Sequence, residues 1–297
     1  MPNPLFRLAP TPSGYLHQGN AFNFLLNWLH ARRLGGRLWL RIDDLDAART
    51  RPEYLSDIFD TLQWLQLDWD LGPTDPSDFQ TNWSQQLRLP YYEQTLQTLV
   101  NKGLVFACTC TRKTLQEAGF SGGAYPGICN NKKLPLRPDL PWRLHVPPDA
   151  TIRLHDWTAG AQSIPLGMEM GSFVIKTRDG TPAYQLASLC DDMQQGVTHI
   201  IRGEDLRAST AAQLYIAQQL GWTDFQQVQW YHHPLLKDRA GEKLAKSAGS
   251  LSIRALRQAG YDLPALLRDF ANWAGLPTHT GARTPAELLL FVEKINA

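Results

Sequence analysis

Long apolar runs are missing from this 297-residue chain, and no stretch approaches the roughly 20 residues that a membrane-spanning helix requires. The N-terminus also lacks the basic-then-apolar layout of a secretory signal, so a cytoplasmic protein with no membrane partner is expected. Neither sign of charge dominates: 29 Lys and Arg face 28 Asp and Glu, a formal net charge of +1. A global electrostatic pull toward nucleic acid is thereby excluded, and any RNA contact has to come from a local patch. Cysteine is scarce, with four in all, and three of them fall between positions 108 and 129. That clustering is unlike the scattered even set of a secreted disulfide framework and suggests a metal. Internal repeats and low-complexity tails are absent as well. What is present, 43% hydrophobic residues including 10 Trp, suffices for one large domain or two ordinary ones.

Proline and glycine punctuate the chain. Residues 5–9 read as a strand stopped by Pro10 and Pro12, and residues 21–34 carry apolar side chains at helical spacing until Gly35 and Gly36 end them. Residues 37–42 read as a second strand running into Asp43, Asp44 and Asp46. The opening is therefore a βαβ unit, whose parallel strands need a right-handed crossover and whose ligands bind beyond the strand C-termini. Residues 52–67 and 90–102 read as amphipathic helices. Between 108 and 171 the character changes: Gly122 and Gly123, many prolines from 126 to 148, and the alternating stretch 142–146 suggest an inserted, loop-rich subdomain containing β-structure. The α/β pattern is expected to resume at 173–175 and 181–189, with a strand at 197–201 and small helices at 253–259 and 264–274.

Three constellations carry chemistry. The turn from strand into helix leaves backbone N–H groups unpaired at the helix start, which with the helix dipole make a site for phosphate. His17 and Asn20 lie at that start, while Gly14 and Gly19 let a nucleotide approach the backbone. Lys243 and Lys246 lie in a glycine-flanked segment suited to carrying cations onto a pyrophosphate leaving group. Cys108, Cys110 and Cys129 supply three thiolates, most of a closed tetrahedral zinc site. Cys190, in an apolar segment far from these, is assigned to packing.

The stretches 10–20 and 243–247 together resemble the HIGH and KMSKS motifs of class I aminoacyl-tRNA synthetases. Residues 7–14, 41–46, Tyr184 with Asp191 and Asp192, and 196–206 resemble successive blocks of the glutamate-specific subgroup, over nearly the whole chain to about residue 250. The resemblance implies an α/β fold: a Rossmann-type nucleotide-binding domain, an inserted zinc-containing α+β subdomain and a short helical C-terminal segment. The expected divisions are 1–107 and 173–250 for the two catalytic halves, 108–172 for the insertion and 251–297 for the helical end.

The same resemblance implies the site. Glutamate would be held by Arg7, Ala9, Thr11, Asp43, Tyr184 and Arg202; two arginines suit its carboxylates and Asp43 its ammonium group. ATP, with Mg²⁺, would meet His17, Asn20 and Lys246, and His17, Gly19, Lys243 and Lys246 would form the catalytic set. Tyr125 would complete a structural zinc site with Cys108, Cys110 and Cys129. Two positions depart from the subgroup: Asp43 stands where glutamate is usual, and Ala245 where a hydroxyl residue is usual. Fewer than fifty residues follow Ser250, so the long helical anticodon-binding region of ordinary glutamate enzymes is not expected. The short chain is similar instead to the branch that activates glutamate and transfers it to the queuosine base of the tRNA(Asp) anticodon arm. A minimal ligase charging the 3′ end of tRNA(Glu), and a non-catalytic glutamate- or tRNA-binding module, stay open as alternatives. A monomer is expected.

Overall fold

The computed structural model describes residues 3–120, 122–236, 252–277 and 281–294. In chain order they form β1 (Leu5–Leu8), α1 (Gln18–Arg33), β2 (Arg37–Leu40), α2 (Pro52–Trp64), α3 (Leu89–Asn101), β3 (Val105–Ala107), α4 (Arg112–Glu117) and β4 (Trp142–Leu144). There follow β5 (Ile152–Asp156), β6 (Gly160–Ile164), β7 (Phe173–Lys176), α5 (Tyr184–Gln195), β8 (His199–Gly203), α6 (Arg207–Leu220), β9 (Gln229–His233), α7 (Ile253–Gln258) and α8 (Leu263–Trp273). They fall into two compact units. One takes Met1–Leu87, Val197–Glu204 and Trp230–Ala297; the other takes Arg88–Gly196 and Asp205–Gln229.

The first unit opens with the expected βαβ crossover. β1 and β2 pair in parallel, Leu5 opposite Arg37 and Leu8 opposite Leu40. The return is tight: Arg37 donates its backbone N–H to Pro4 at 2.7 Å. A methyl group on Gly36 would lie 2.7 Å from that same carbonyl oxygen, so only glycine fits the close approach. All four residues of β1 are buried, and so are ten residues of α1, including Phe22, Phe24, Leu25, Leu26 and Leu29. Each such side chain contributes about 1.5–3 kcal/mol on burial, which is what holds this short strand and its helix in place. Thr198 N–H donates to Leu5 at 3.0 Å, bringing the start of β8 alongside β1, and β9 neighbours β8. α8 closes on α1 through Phe270, edge-on to Phe22 at 5.5 Å.

The second unit packs α3, α5 and α6 together. A buried carboxylate ties two of them: Asp191 on α5 accepts from Tyr92 Oη at 2.6 Å and from Arg88 Nε at 2.7 Å. β3, β4 and β7 form an antiparallel sheet, and β5 and β6 a hairpin. Here the structure corrects one expectation. Residues 173–175 do not resume the parallel nucleotide-fold pattern; β7 pairs antiparallel with β4, Leu144 opposite Phe173. A four-residue apolar strand carries no mark of its pairing direction, and the partner 30 residues upstream decides it. The stretch 108–172 belongs to a unit that begins at Arg88 and takes in α5 and α6 as well.

Candidate active site and metal centre

Within the first unit, the turn after β1 is fixed from three sides. Beyond the regular strands, Arg41 N–H donates to Leu8 and Asp43 N–H to Pro10, each at 2.9 Å, which sets Asp43 against the segment holding Ala9 and Thr11. Asp57, reaching from α2, accepts the Leu16 N–H at 2.9 Å. Burial raises the Asp57 carboxyl above its ordinary range, against the pull of that hydrogen bond. Finally, the chain comes back from its C-terminal part: Ser252 bridges His17, and Ile253 N–H donates to Leu16 at 2.7 Å.

His17 is the N-cap residue of α1, in extended conformation, and Asn20 Oδ1 accepts its backbone N–H at 3.0 Å. Asn20 thus has a local role in closing the helix start. Gly19 is constrained by the imidazole: a methyl group there would sit 3.1 Å from both Cε1 and Nδ1 of His17. The next residue round, Gln18, reaches Tyr261 Oη at 3.2 Å and Asp269 at 3.5 Å. The start of α1 is thereby tied to α8 and the segment before it.

Arg7 on β1 and Arg202 on β8 are both 4% exposed, as buried as the apolar core around them. Arg202 stacks its guanidinium 4.9 Å from the centre of the Trp230 ring. On the other side of α1, Asn23 and Asn27 donate to the carbonyl of Ile201 at 3.4 and 3.3 Å, fixing the backbone next to Arg202. Asp43 is engaged by a neighbour: Arg41 Nε and Nη2 meet its two oxygens at 2.7 and 3.1 Å. This two-point contact holds the Asp43 carboxylate in one orientation.

β1, the residues past β2, and β8 thus bring Arg7, Ala9, Thr11, Asp43 and Arg202 onto adjacent segments, with His17, Gly19 and Asn20 at the helix start that follows. Tyr184 belongs to the other unit, at the first turn of α5, and is 39% exposed. Lys243 and Lys246, with Ala245, lie outside the described residues.

Several side chains that shape this site escaped the sequence reading. Asp57 and Gln18 carry no local signal, because their partners are 41 and 243 residues away. Asp44 likewise accepts from Ser84 Oγ at 2.6 Å and Gln85 N–H at 2.8 Å. Arg41 was findable: on an extended backbone, residues two apart face the same way, and Arg41 precedes Asp43 by two.

In the second unit, the Sγ atoms of Cys108, Cys110 and Cys129 all lie within 4.8 Å of one another. Cys110 and Cys129 are 3.6 Å apart, too far for a disulfide at about 2.05 Å. It is close to the edge of about 3.8 Å that two thiolates span on tetrahedral zinc at about 2.3 Å each. The phenolic oxygen of Tyr125 stands 3.5 Å from Cys108 Sγ and 3.4 Å from Cys110 Sγ, and accepts the Cys129 N–H at 2.9 Å. The donor set and its spacing fit a closed four-ligand site. Burial pushes the Cys110 thiol up to about 11. At Cys129 burial acts in the same sense, but hydrogen bonds from the Thr109 backbone and from Tyr125 prevail and bring the thiol down to about 6. Above the Tyr125 ring, the Arg143 guanidinium stacks at 3.8 Å.

The family model of the catalytic domain of class I tRNA synthetases (E and Q) matches residues 5–121 and 139–283. Among relatives, the chain is 39% identical to the Glutamyl-Q tRNA(Asp) synthetase of Nitratidesulfovibrio vulgaris, over 95% of this chain and 89% of that one. It is 41% identical to the protein of that name from Pseudomonas putida, over 86% and 84%. Among solved structures, glutamate–tRNA synthetase from Elizabethkingia anophelis superposes with a TM-score of 0.79 at 23% identity. That match covers 99% of this chain, which spans 66% of the length of the larger protein. The chain belongs to the class I aminoacyl-tRNA synthetases, in the catalytic-domain family of the glutamate and glutamine enzymes.

Proposed function

We propose that the chain activates L-glutamate with ATP and transfers the glutamyl group to the queuosine base in the anticodon loop of tRNA(Asp). The observation that carries this reading is the relatives bearing the name Glutamyl-Q tRNA(Asp) synthetase, about 40% identical over most of both chains. The geometry of the first unit supports it: two buried arginines and a buried, oriented aspartate match two carboxylates and an ammonium.

In the proposed mechanism Arg7 and Arg202 hold the carboxylates, Asp43 the ammonium, and Ala9 and Thr11 line the glutamate pocket. Arg41 acts as a positioning residue that keeps the shorter side chain of Asp43 in one rotamer. A carboxylate oxygen of glutamate attacks the α-phosphorus of ATP, the bond to the bridging oxygen breaks, and pyrophosphate leaves. His17 donates a hydrogen bond to the phosphoryl oxygens as charge shifts, and Asn20 and the α1 start carry the phosphates. Lys243 and Lys246 are assigned to the leaving group; the described chain resumes at Ser252, bridged to His17, six positions after Lys246. Mg²⁺ supplies charge neutralisation to the phosphates. A hydroxyl of the queuosine cyclopentenediol then attacks the acyl carbon of the mixed anhydride and releases AMP. Cys108, Cys110, Tyr125 and Cys129 would hold a zinc ion, which would serve to stabilise the second unit rather than to carry chemistry.

The test is glutamate-dependent exchange of pyrophosphate into ATP without tRNA. Exchange is expected. Exchange appearing only after tRNA(Glu) is added moves the reading to a 3′-end ligase, and none under either condition overturns activation.

A further inference from the structure

Charge is segregated where the metal centre lies. Residues 108–145 hold six Lys and Arg against two Asp and Glu, in a chain whose totals are 29 and 28. Four of those cations sit in two pairs a few positions past the sulfur donors: Arg112 and Lys113 after Cys110, Lys132 and Lys133 after Cys129. The pairs are 20 residues apart in sequence, yet the 3.6 Å approach of Cys110 and Cys129 brings their anchors together. On one side Thr111 Oγ1 accepts the Thr114 N–H at 3.1 Å and caps α4, which starts at Arg112. On the other, Lys132 N–H donates to Cys129 O at 3.2 Å.

All four side chains are exposed. Among the described residues, Arg112, Lys132 and Lys133 have no carboxylate at ion-pair distance, and Lys113 has only Glu117 at 3.9 Å on the same short helix. Arg137, by contrast, is spent on Asp139 at 2.7 Å. Lys133 also holds a φ of +49°, the left-handed region that glycine enters freely and lysine does not.

We propose that the knuckle formed around Cys108, Cys110 and Cys129 is a docking surface for the sugar–phosphate backbone of RNA, contacted by Arg112, Lys113, Lys132 and Lys133. The proposal rests on the reading that tRNA is the acceptor substrate, and adds where the chain grips it. Charge complementarity is the argument: in a chain with almost no net charge, a local excess of cations of the kind RNA binding requires lies here. Such contacts position the nucleic acid without reading its sequence.

The experiment compares the full-length, zinc-loaded protein with a Lys132→Gln, Lys133→Gly double variant. Glycine at 133 accepts the left-handed backbone, so the fold is spared. Binding of an unmodified tRNA(Asp) transcript is titrated at several salt concentrations, beside zinc content and tRNA-free pyrophosphate exchange. We expect affinity to fall at least about tenfold near 0.1 M salt, and the slope of log affinity against log salt to drop by about 1.5 for two lost phosphate contacts. Zinc and exchange should stay at wild-type levels. Unchanged affinity and slope overturn the proposal. If the wild type shows no exchange while the variant still loses tRNA affinity, the docking surface stands and only glutamate activation fails.

Discussion

Gly19→Ala separates stability from catalysis in a way the structure makes quantitative. Gly19 lies in the first turn of α1, and alanine is the better helix former by up to about 1 kcal/mol. Taken alone, the change should leave Tm where it is or raise it by about 2 °C for a chain of this size. Yet the new methyl group would stand 3.1 Å from His17 Cε1 and Nδ1, closer than ordinary carbon contact, so the imidazole has to give way by a few tenths of an ångström. A misplacement of about 1 Å at a reacting centre costs on the order of a hundredfold, so this smaller shift should cost about threefold to tenfold. The assay is tRNA-free pyrophosphate exchange, with thermal unfolding measured on the same preparations. His17→Ala should lower exchange by at least about tenfold, as expected for loss of one oriented transition-state contact. In the His17→Ala background Gly19→Ala should then change nothing further, because the ring it displaces is gone. Wild-type exchange in Gly19→Ala, or additive losses in the double variant, would refute the argument that Gly19 serves the ring.

The remaining expectations concern the supports of the two centres. Asp57→Ala removes the acceptor of the buried Leu16 N–H and should cost about 1–3 kcal/mol, whereas Asp57→Asn keeps an acceptor without a buried charge and should be near neutral; chemical denaturation distinguishes them. Purified protein should contain about one zinc per chain by metal analysis, with Cys129→Ser losing it and Tyr125→Phe releasing it faster to a chelator. Burial lowers His30 and His199 to about 4, and Arg33 pushes His30 the same way. Both pKa values are depressed on folding, so their stabilising effect is complete above about 6.5 and is lost as pH falls toward 4. For His30 that loss amounts to about 3 kcal/mol. A Tm profile that stays flat from pH 7 to 4, or one that His30→Phe does not flatten, would contradict this.

The parts of the molecule legible in the sequence are those whose signals are local. Pro10 and Pro12 break β1, Gly35 and Gly36 end α1, and Gly36 is required by the carbonyl of Pro4, so the βαβ crossover could be placed to within about three residues. Cys108, Cys110 and Cys129 stood out through their clustering, and the fold draws their sulfur atoms within 4.8 Å of one another. Lys133 was equally visible as a cation a few positions past Cys129, but nothing in the sequence shows that its backbone is left-handed.

What stayed hidden depends on pairing between distant segments. The pairing of β7 is not written in its own residues, because an apolar tetrapeptide fits a parallel or an antiparallel neighbour equally well, and β4 claims it. Asp57 and Asp44 are unremarkable acidic residues until the fold hands them the Leu16 N–H and the Ser84 hydroxyl. The same reasoning bears on Asp43. Its side chain is one methylene shorter than the glutamate usual at this position, and Arg41 is the residue that locks it from two positions upstream. A shortened carboxylate left to rotate would grip an ammonium poorly; one clamped on both oxygens is held in a fixed direction. Arg41→Met should therefore raise the KM for glutamate in pyrophosphate exchange more than it lowers kcat. The substitution Asp43→Glu made on top of it should restore part of the loss by reach alone. If Arg41→Met lowered kcat at unchanged KM, the pair would serve the phosphate chemistry and the amine assignment of Asp43 would fall.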